Sequence, residues 1–161
     1  MSPSLPPALA ERIGFLVART HWVFHNRAQA VLAETGQRLG IKHFGALSVI
    51  AEEGPLSQQL LGEQMTVDRS TMVTLIDELE QAGMVTRQRN PNDRRAYALE
   101  ATESGREWCS AAGEKLTAAQ DEILAPLDAQ ERDQLRGLLQ RLLLGQPTEL
   151  VTNPPVEVRP G

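Results

Sequence analysis

The sequence is short of most features that announce an enzyme, a secreted protein or a membrane protein. It has a single cysteine, Cys109, so no intrachain disulfide can form and a reducing compartment is expected. Nowhere do apolar residues run together for the roughly 20 positions a membrane span needs. The opening MSPSLPPALAER has no basic stretch leading into an apolar one and does not read as a signal peptide. There is no glycine-rich phosphate loop, no Cys/His cluster and no G-x-S-x-G turn. Neither an enzyme nor a cofactor is therefore expected. Aromatic residues make up only 4%, while Ala, Leu, Glu, Gln and Arg are plentiful, which favours helix over sheet. Positive charge is scarce as well: 16 Lys and Arg face 21 Asp and Glu, for a net charge of −5. A surface basic all over is thus excluded. The expected location is the cytoplasm, with no membrane partner.

What is present is unevenly placed. Between Met84 and Leu99 stand four arginines, Arg87, Arg89, Arg94 and Arg95, against one acid, Asp93. This is a local positive patch on an acidic body. A patch suffices to attract phosphate, because that attraction acts within a Debye length of about 8 Å at physiological salt.

With 161 residues the chain fits one domain with a real core. Residues 1–7 hold three prolines and should be irregular. A single long helix is expected from about Ala8 to Thr35, with Ile13, Leu16, Val17, Phe24, Ala28 and Val31 as a buried stripe. Phe15 and Trp22 fall on another face, so this helix has two apolar sides and needs two partners, one of which can be a second subunit. A helix from about Lys42 to Glu53 follows, closed by Gly54-Pro55. Ser57 is a plausible cap for a short helix over 58–64, with Leu60 and Leu61 facing inward. Asp68 caps the next helix, expected over 68–82, whose Met72, Leu75, Ile76 and Leu79 are apolar and which Gly83 ends. Its other side carries Ser70, Thr71, Thr74 and Gln81, flanked by Arg69 and Val73. Hydroxyls, an arginine and a small apolar side chain suit base edges and thymine methyls in a major groove. Two strands, Met84–Asn90 and Arg95–Ala101, then enclose the turn residues Asn90-Pro91-Asn92-Asp93-Arg94. Thr102 caps a helix to about Leu124, and Asp128 with Glu131 begins a last one, to about Leu144, with Leu135, Leu138, Leu139, Leu142 and Leu143 on one side. The tail from 146 to 161 should be loose.

Helix–turn–helix followed by a hairpin is a shape that puts one helix into a DNA groove and a β-loop beside it. The fold expected is mainly α with a small β-hairpin. A winged helix-turn-helix lobe over 41–101 is joined to N- and C-terminal helices at 8–40 and 102–145, in a single domain. At LIDELEQAGMV, then NPNDRR, then Thr102-xx-Gly105, the sequence resembles the MarR family of transcriptional regulators, closely over about residues 40–107. The resemblance implies a homodimer built through the first and last two helices, Arg69 to Thr74 approaching the major groove of double-stranded DNA, and the wing at 87–95 entering the minor groove. It also implies that Asp93 holds Arg95 for insertion into the narrow groove, leaving Arg94 for phosphate. Relatives of this kind commonly repress genes and are released by small aromatic or acidic effectors. Many of them carry basic residues where this chain has Thr74 and Glu78, which shifts phosphate contact toward the wing.

The function expected is a ligand-responsive repressor that binds a pseudo-palindromic operator. Arg69, Ser70, Thr71, Val73 and Thr74 would read bases, and Arg87, Arg89 and Arg94 would touch the backbone. The alternative is a winged helix used for protein–protein contact without DNA. His21 and His25 stand at i and i+4, a spacing that can share a metal, and His43 could approach them. No metal is expected; with Trp22 these histidines are candidates to line an effector cavity. The plainer reading leaves them as partly buried polar groups, and Trp22 as packing.

Overall fold

A computed structural model describes residues 5–90 and 93–146, with the side chains of 89, 90 and 93–96 left out of that description. A short helix α1 (Pro7–Ala10) leads into α2 (Ile13–Ala33) and α3 (Ile41–Glu53). Then come β1 (Leu56–Ser57), α4 (Gln58–Met65), α5 (Arg69–Gln81), β2 (Val85–Asn90) and β3 (Asp93–Ala101), and the chain finishes with α6 (Glu103–Ile123) and α7 (Ala129–Leu144). The sheet is antiparallel in the order β1-β3-β2. Mainly helical architecture with a small hairpin, as expected, is what forms. No helix among the described residues is long and apolar enough to cross a membrane.

The helix starts follow the sequence signals. The Ser57 hydroxyl accepts from the Leu60 amide at 3.1 Å and the Asp68 carboxylate from the Thr71 amide at 3.0 Å. Asp128 and Glu131 exchange bonds of 2.9 Å with each other's backbone amides, the capping box anticipated at α7. The core gathers the inward faces of α3, α4 and α5 against the sheet: Leu47, Ile50, Leu61, Met72, Ile76, Leu79, Val85 and Leu99 are almost wholly buried. Thr102 locks the sheet to the end of α5. Its amide donates to Met84 O at 3.0 Å, and its hydroxyl donates to Gly83 O at 2.7 Å while accepting from the Gly105 amide at 2.9 Å. Gly83 itself has φ +73, a left-handed turn that lets the chain reverse from helix into strand.

Three expectations need correction, and one strand was not anticipated. The first helix is not continuous: Glu11 and Arg12 separate α1 from α2, with Arg12 extended (φ −93, ψ 101), a short break that apolar spacing does not register. The buried stripe of α2 is only half buried. Ala28 and Val31 lie in the core, but Leu16 and Val17 are exposed and Ile13 is 76% exposed, because no described element of the chain covers that end. Leu60 is exposed although Leu61 is fully buried, since helical neighbours point about 100° apart and the core takes one of them. The strand β1, two residues long, was not anticipated; it pairs Leu56 with Leu99. Among the described residues α7 buries none of its own, and Leu138, Leu139, Leu142, Leu143 and Leu144 are exposed.

Gly105 provides a direct test of the close packing of α6 on the hairpin. A Cβ there would stand 2.1 Å from Met84 O, a backbone atom. Gly105→Ala should lower unfolding stability by about 3 kcal/mol, the upper range of overpacking, read as a reduced denaturation midpoint with an unchanged m-value.

Candidate nucleic-acid interface

The turn between α4 and α5 is made by Thr66, which takes a left-handed conformation (φ +56) and returns its amide to Glu63 O. That turn sets α5 across α4 with Met72, Leu75, Ile76 and Leu79 inward. The opposite side is then outward by geometry: Arg69, Ser70, Val73 and Thr74 are exposed and Thr71 is half-buried. The five residues expected to read bases therefore share the N-terminal half of one helix. A groove of about 1130 Å³ runs beside them, between α4, the start of α5 and the hairpin, with Gln59, Asp68, Arg69, Arg87 and Tyr97 on its walls.

Hydroxyl chemistry dominates the helix start. Ser70 Oγ donates to Asp68 Oδ1 and Thr71 Oγ1 to Asp68 Oδ2, both at 2.6 Å. These bonds, that of Ser70 first, hold the Asp68 carboxyl well below the usual carboxylate range. Thr74 Oγ1 donates to Ser70 O at 3.2 Å.

Arg87 is positioned differently from its expected role. Its half-buried guanidinium is bound by the carboxylates of both Asp77 and Glu80, on the C-terminal half of α5. The hydrogen bond to Asp77, followed by the charges of Glu80 and Asp77, raises its pKa above the ordinary arginine value. Arg87 thus ties the wing to α5. Arg89 stands on β2, and Asp93, Arg94 and Arg95 on β3, with side chains outside the described residues. The register places Arg89 opposite Tyr97, with an irregularity between Arg89 and Asn90 where the wing bends.

The four residues proposed for an effector cavity differ in exposure and in their partners. His43 has both ring nitrogens engaged: Nδ1 accepts from the Gly40 amide at 3.0 Å, and Nε2 meets Glu78 Oε2 at 2.5 Å. It joins the start of α3 to α5 and has no free nitrogen for a ligand. His21 is exposed and His25 half-buried, their rings 5.7 Å apart, and Trp22 is exposed under the Arg19 guanidinium, 5.2 Å from its ring centre. Among the described residues no group of three or more His, Cys, Asp or Glu side chains could hold a metal. Cys109 lies half-buried with its sulfur 3.3 Å from Ser48 Oγ.

Sequence reasoning missed two contacts that shape this region. One is the pairing of α5's acids, Asp77 and Glu80 with Arg87, and Glu78 with His43. The signal was there, because three acids near the end of a helix meant to face a polyanion need partners. The other is the junction of α2, α3 and α6, where Trp108 Nε1 donates to Thr35 Oγ1 at 3.1 Å and its ring meets Phe44 edge-on at 6.3 Å. With neither residue forming a motif, nothing in the sequence pointed there.

Arg87→Ala should cost about 1 kcal/mol, since the pair is partly exposed and surface ion pairs are worth little. Amide exchange across β2 and β3 should accelerate more than exchange in α3. Equal acceleration everywhere would mean that Arg87 is not a local tie.

Comparison with known proteins agrees with this geometry. Residues 40–97 match the MarR family. A putative transcriptional regulatory protein for the hcr operon of Thauera aromatica is 33% identical over 136 residues, covering 84% of this chain and 81% of the relative. The crystal structure of CouR from Rhodococcus jostii RHA1, bound to p-coumaroyl-CoA, is 32% identical with a TM-score of 0.73, covering 85% of this chain and 95% of that one. The Mycobacterium tuberculosis protein Rv2887 in complex with DNA is 25% identical with a TM-score of 0.66, covering 86% and 98%. The helix–turn–helix, the hairpin pinned behind it and these likenesses converge: the chain belongs to the MarR family of transcriptional regulators.

Proposed function

We propose that this protein is a ligand-responsive transcriptional repressor that binds a pseudo-palindromic operator as a homodimer, with α5 in the major groove and the wing in the minor groove. The observation that carries the reading is the exposed N-terminal half of α5 standing beside a hairpin that Arg87 fastens to the same helix. Base contacts fall to Arg69, Ser70, Thr71, Val73 and Thr74. Backbone and minor-groove contacts fall to Arg89, Arg94 and Arg95, with Asp93 orienting Arg95, while Arg87 holds the wing in place. The DNA-reading lobe corresponds to residues 41–101.

The apolar residues left outward on α2 and α7, Ile13, Leu16 and Val17 with Leu138, Leu142 and Leu143, support pairing of two chains through the terminal helices. So much apolar surface on two terminal helices is a cost in water unless another surface covers it. A two-fold dimer puts half-sites about one helical turn apart, near 10 bp. The effector class is a small aromatic acid or its thioester, the kind of molecule to which CouR is bound in its structure with p-coumaroyl-CoA. Binding near the α2–α3 junction would shift the dimer between lobe spacings, and the His43–Glu78 contact connects that junction to α5. The protein acts in the cytoplasm, where such DNA lies.

Binding to duplexes enriched from a randomised pool should weaken steeply as salt rises. Arg95→Ala should weaken it further and reduce the salt slope by about 1. Absence of salt-dependent binding to any duplex would leave the protein–protein module instead. In sedimentation, the wild-type chain should run as a dimer and Leu142→Asp should shift it to monomer; an unchanged mass would move the interface away from α7.

A further inference from the structure

We infer that Ser70, Thr71 and Thr74 present only hydrogen-bond acceptors to the DNA, and that they select base amino groups, adenine N6 or cytosine N4, over guanine, thymine O4 or phosphate. This rests on α5 being the groove helix and adds what that helix can read.

A hydroxyl has one proton to donate and two lone pairs to offer. In α5 all three protons are already placed. Ser70 and Thr71 each give theirs to Asp68 across 2.6 Å, and Thr74 gives its own to Ser70 O across 3.2 Å. The direction is not ambiguous, because an ionised carboxylate and a backbone carbonyl can only accept. The Asp68 carboxyl stays ionised far below neutral pH under these bonds. Charge-assisted bonds of this length are the strong ones. A hydroxyl that turned its proton to a base would leave that charge short of a partner. What remains outward on these exposed or half-exposed side chains is lone pairs, next to a full negative charge.

The major groove offers such a surface few matches. Guanine shows N7 and O6, and thymine O4, all acceptors; the only donors are the amino groups of adenine and cytosine. Phosphate, anionic and acceptor-only, is repelled from the Asp68 end. Arg69, exposed on the same helix, is the donor left to meet guanine or phosphate. Val73 is 39% exposed on the same face, where a thymine methyl fits. An adenine–thymine pair therefore satisfies both kinds of side chain at once.

The test begins with a duplex enriched from a randomised pool by the full-length protein. Within it, each adenine is replaced in turn by purine, which lacks the amino group, each cytosine by 2-pyrimidinone, and each guanine by 7-deazaguanine. At one or more positions in each half-site, loss of the amino group should weaken wild-type binding about 2- to 10-fold, the worth of one net hydrogen bond. Ser70→Ala or Thr71→Val should be indifferent to the same replacement. Asp68→Asn, whose amide can donate back to the hydroxyls, should relax the preference even if the other variants fold poorly. The inference falls if the variants lose as much as the wild type. It also falls if the hydroxyl-dependent loss follows 7-deazaguanine. Failure to enrich any duplex would overturn the DNA-binding reading itself, a result distinct from either.

Discussion

Like charges three or four residues apart on a helix repel one another unless each meets a partner, and α5 carries Asp77, Glu78 and Glu80 in its second half. The fold answers by setting a cation or a donor against each. Arg87 spans Asp77 and Glu80 from the sheet, and His43 meets Glu78 from the start of α3. The same contacts that balance the charge also fix the orientation of α5, since one comes from the wing and the other from the preceding helix. Charge balance and geometry are thus one arrangement. The N-terminal half has no acid beyond its cap and is left with its hydroxyls and Arg69 outward.

Packing places the wing with similar economy. Thr102 bonds at once to Met84, Gly83 and Gly105, so the end of α5, the root of the hairpin and the beginning of α6 meet at a single side chain. Only glycine fits at position 105 against the Met84 carbonyl. The base of the hairpin is therefore held.

Much of the lobe was legible in the sequence because its signals are local. Ser57, Asp68, Thr102 and Asp128 each act as a cap within three residues of their partners, and the apolar stripe of α5 repeats at helical spacing. What was illegible depends on distance or on missing neighbours. The Arg87 contacts join residues seven and ten positions apart across two elements, and they turned an arginine that reads as a phosphate contact into a structural tie. The stripe of α2 reads as core throughout, yet periodicity says only that residues share a face, not that anything covers it; Ile13 and Val17 are the result. His43 looked available to a ligand because a sequence does not show the Gly40 amide that occupies its ring. The two-residue strand β1 is too short for any alternation to reveal.

The bareness of α7 has a consequence for how the molecule responds to dilution. None of its 16 residues is buried among the described residues, and Gly137 stands in mid-helix, so its capping box and the Arg132–Asp121 pair hold it only marginally. In the proposed dimer a second chain covers its leucines, and mass action then governs how ordered it is. For this protein, copy number in the cell becomes a structural variable: scarcity would fray the C-terminal helix first and leave the sheet-backed lobe standing.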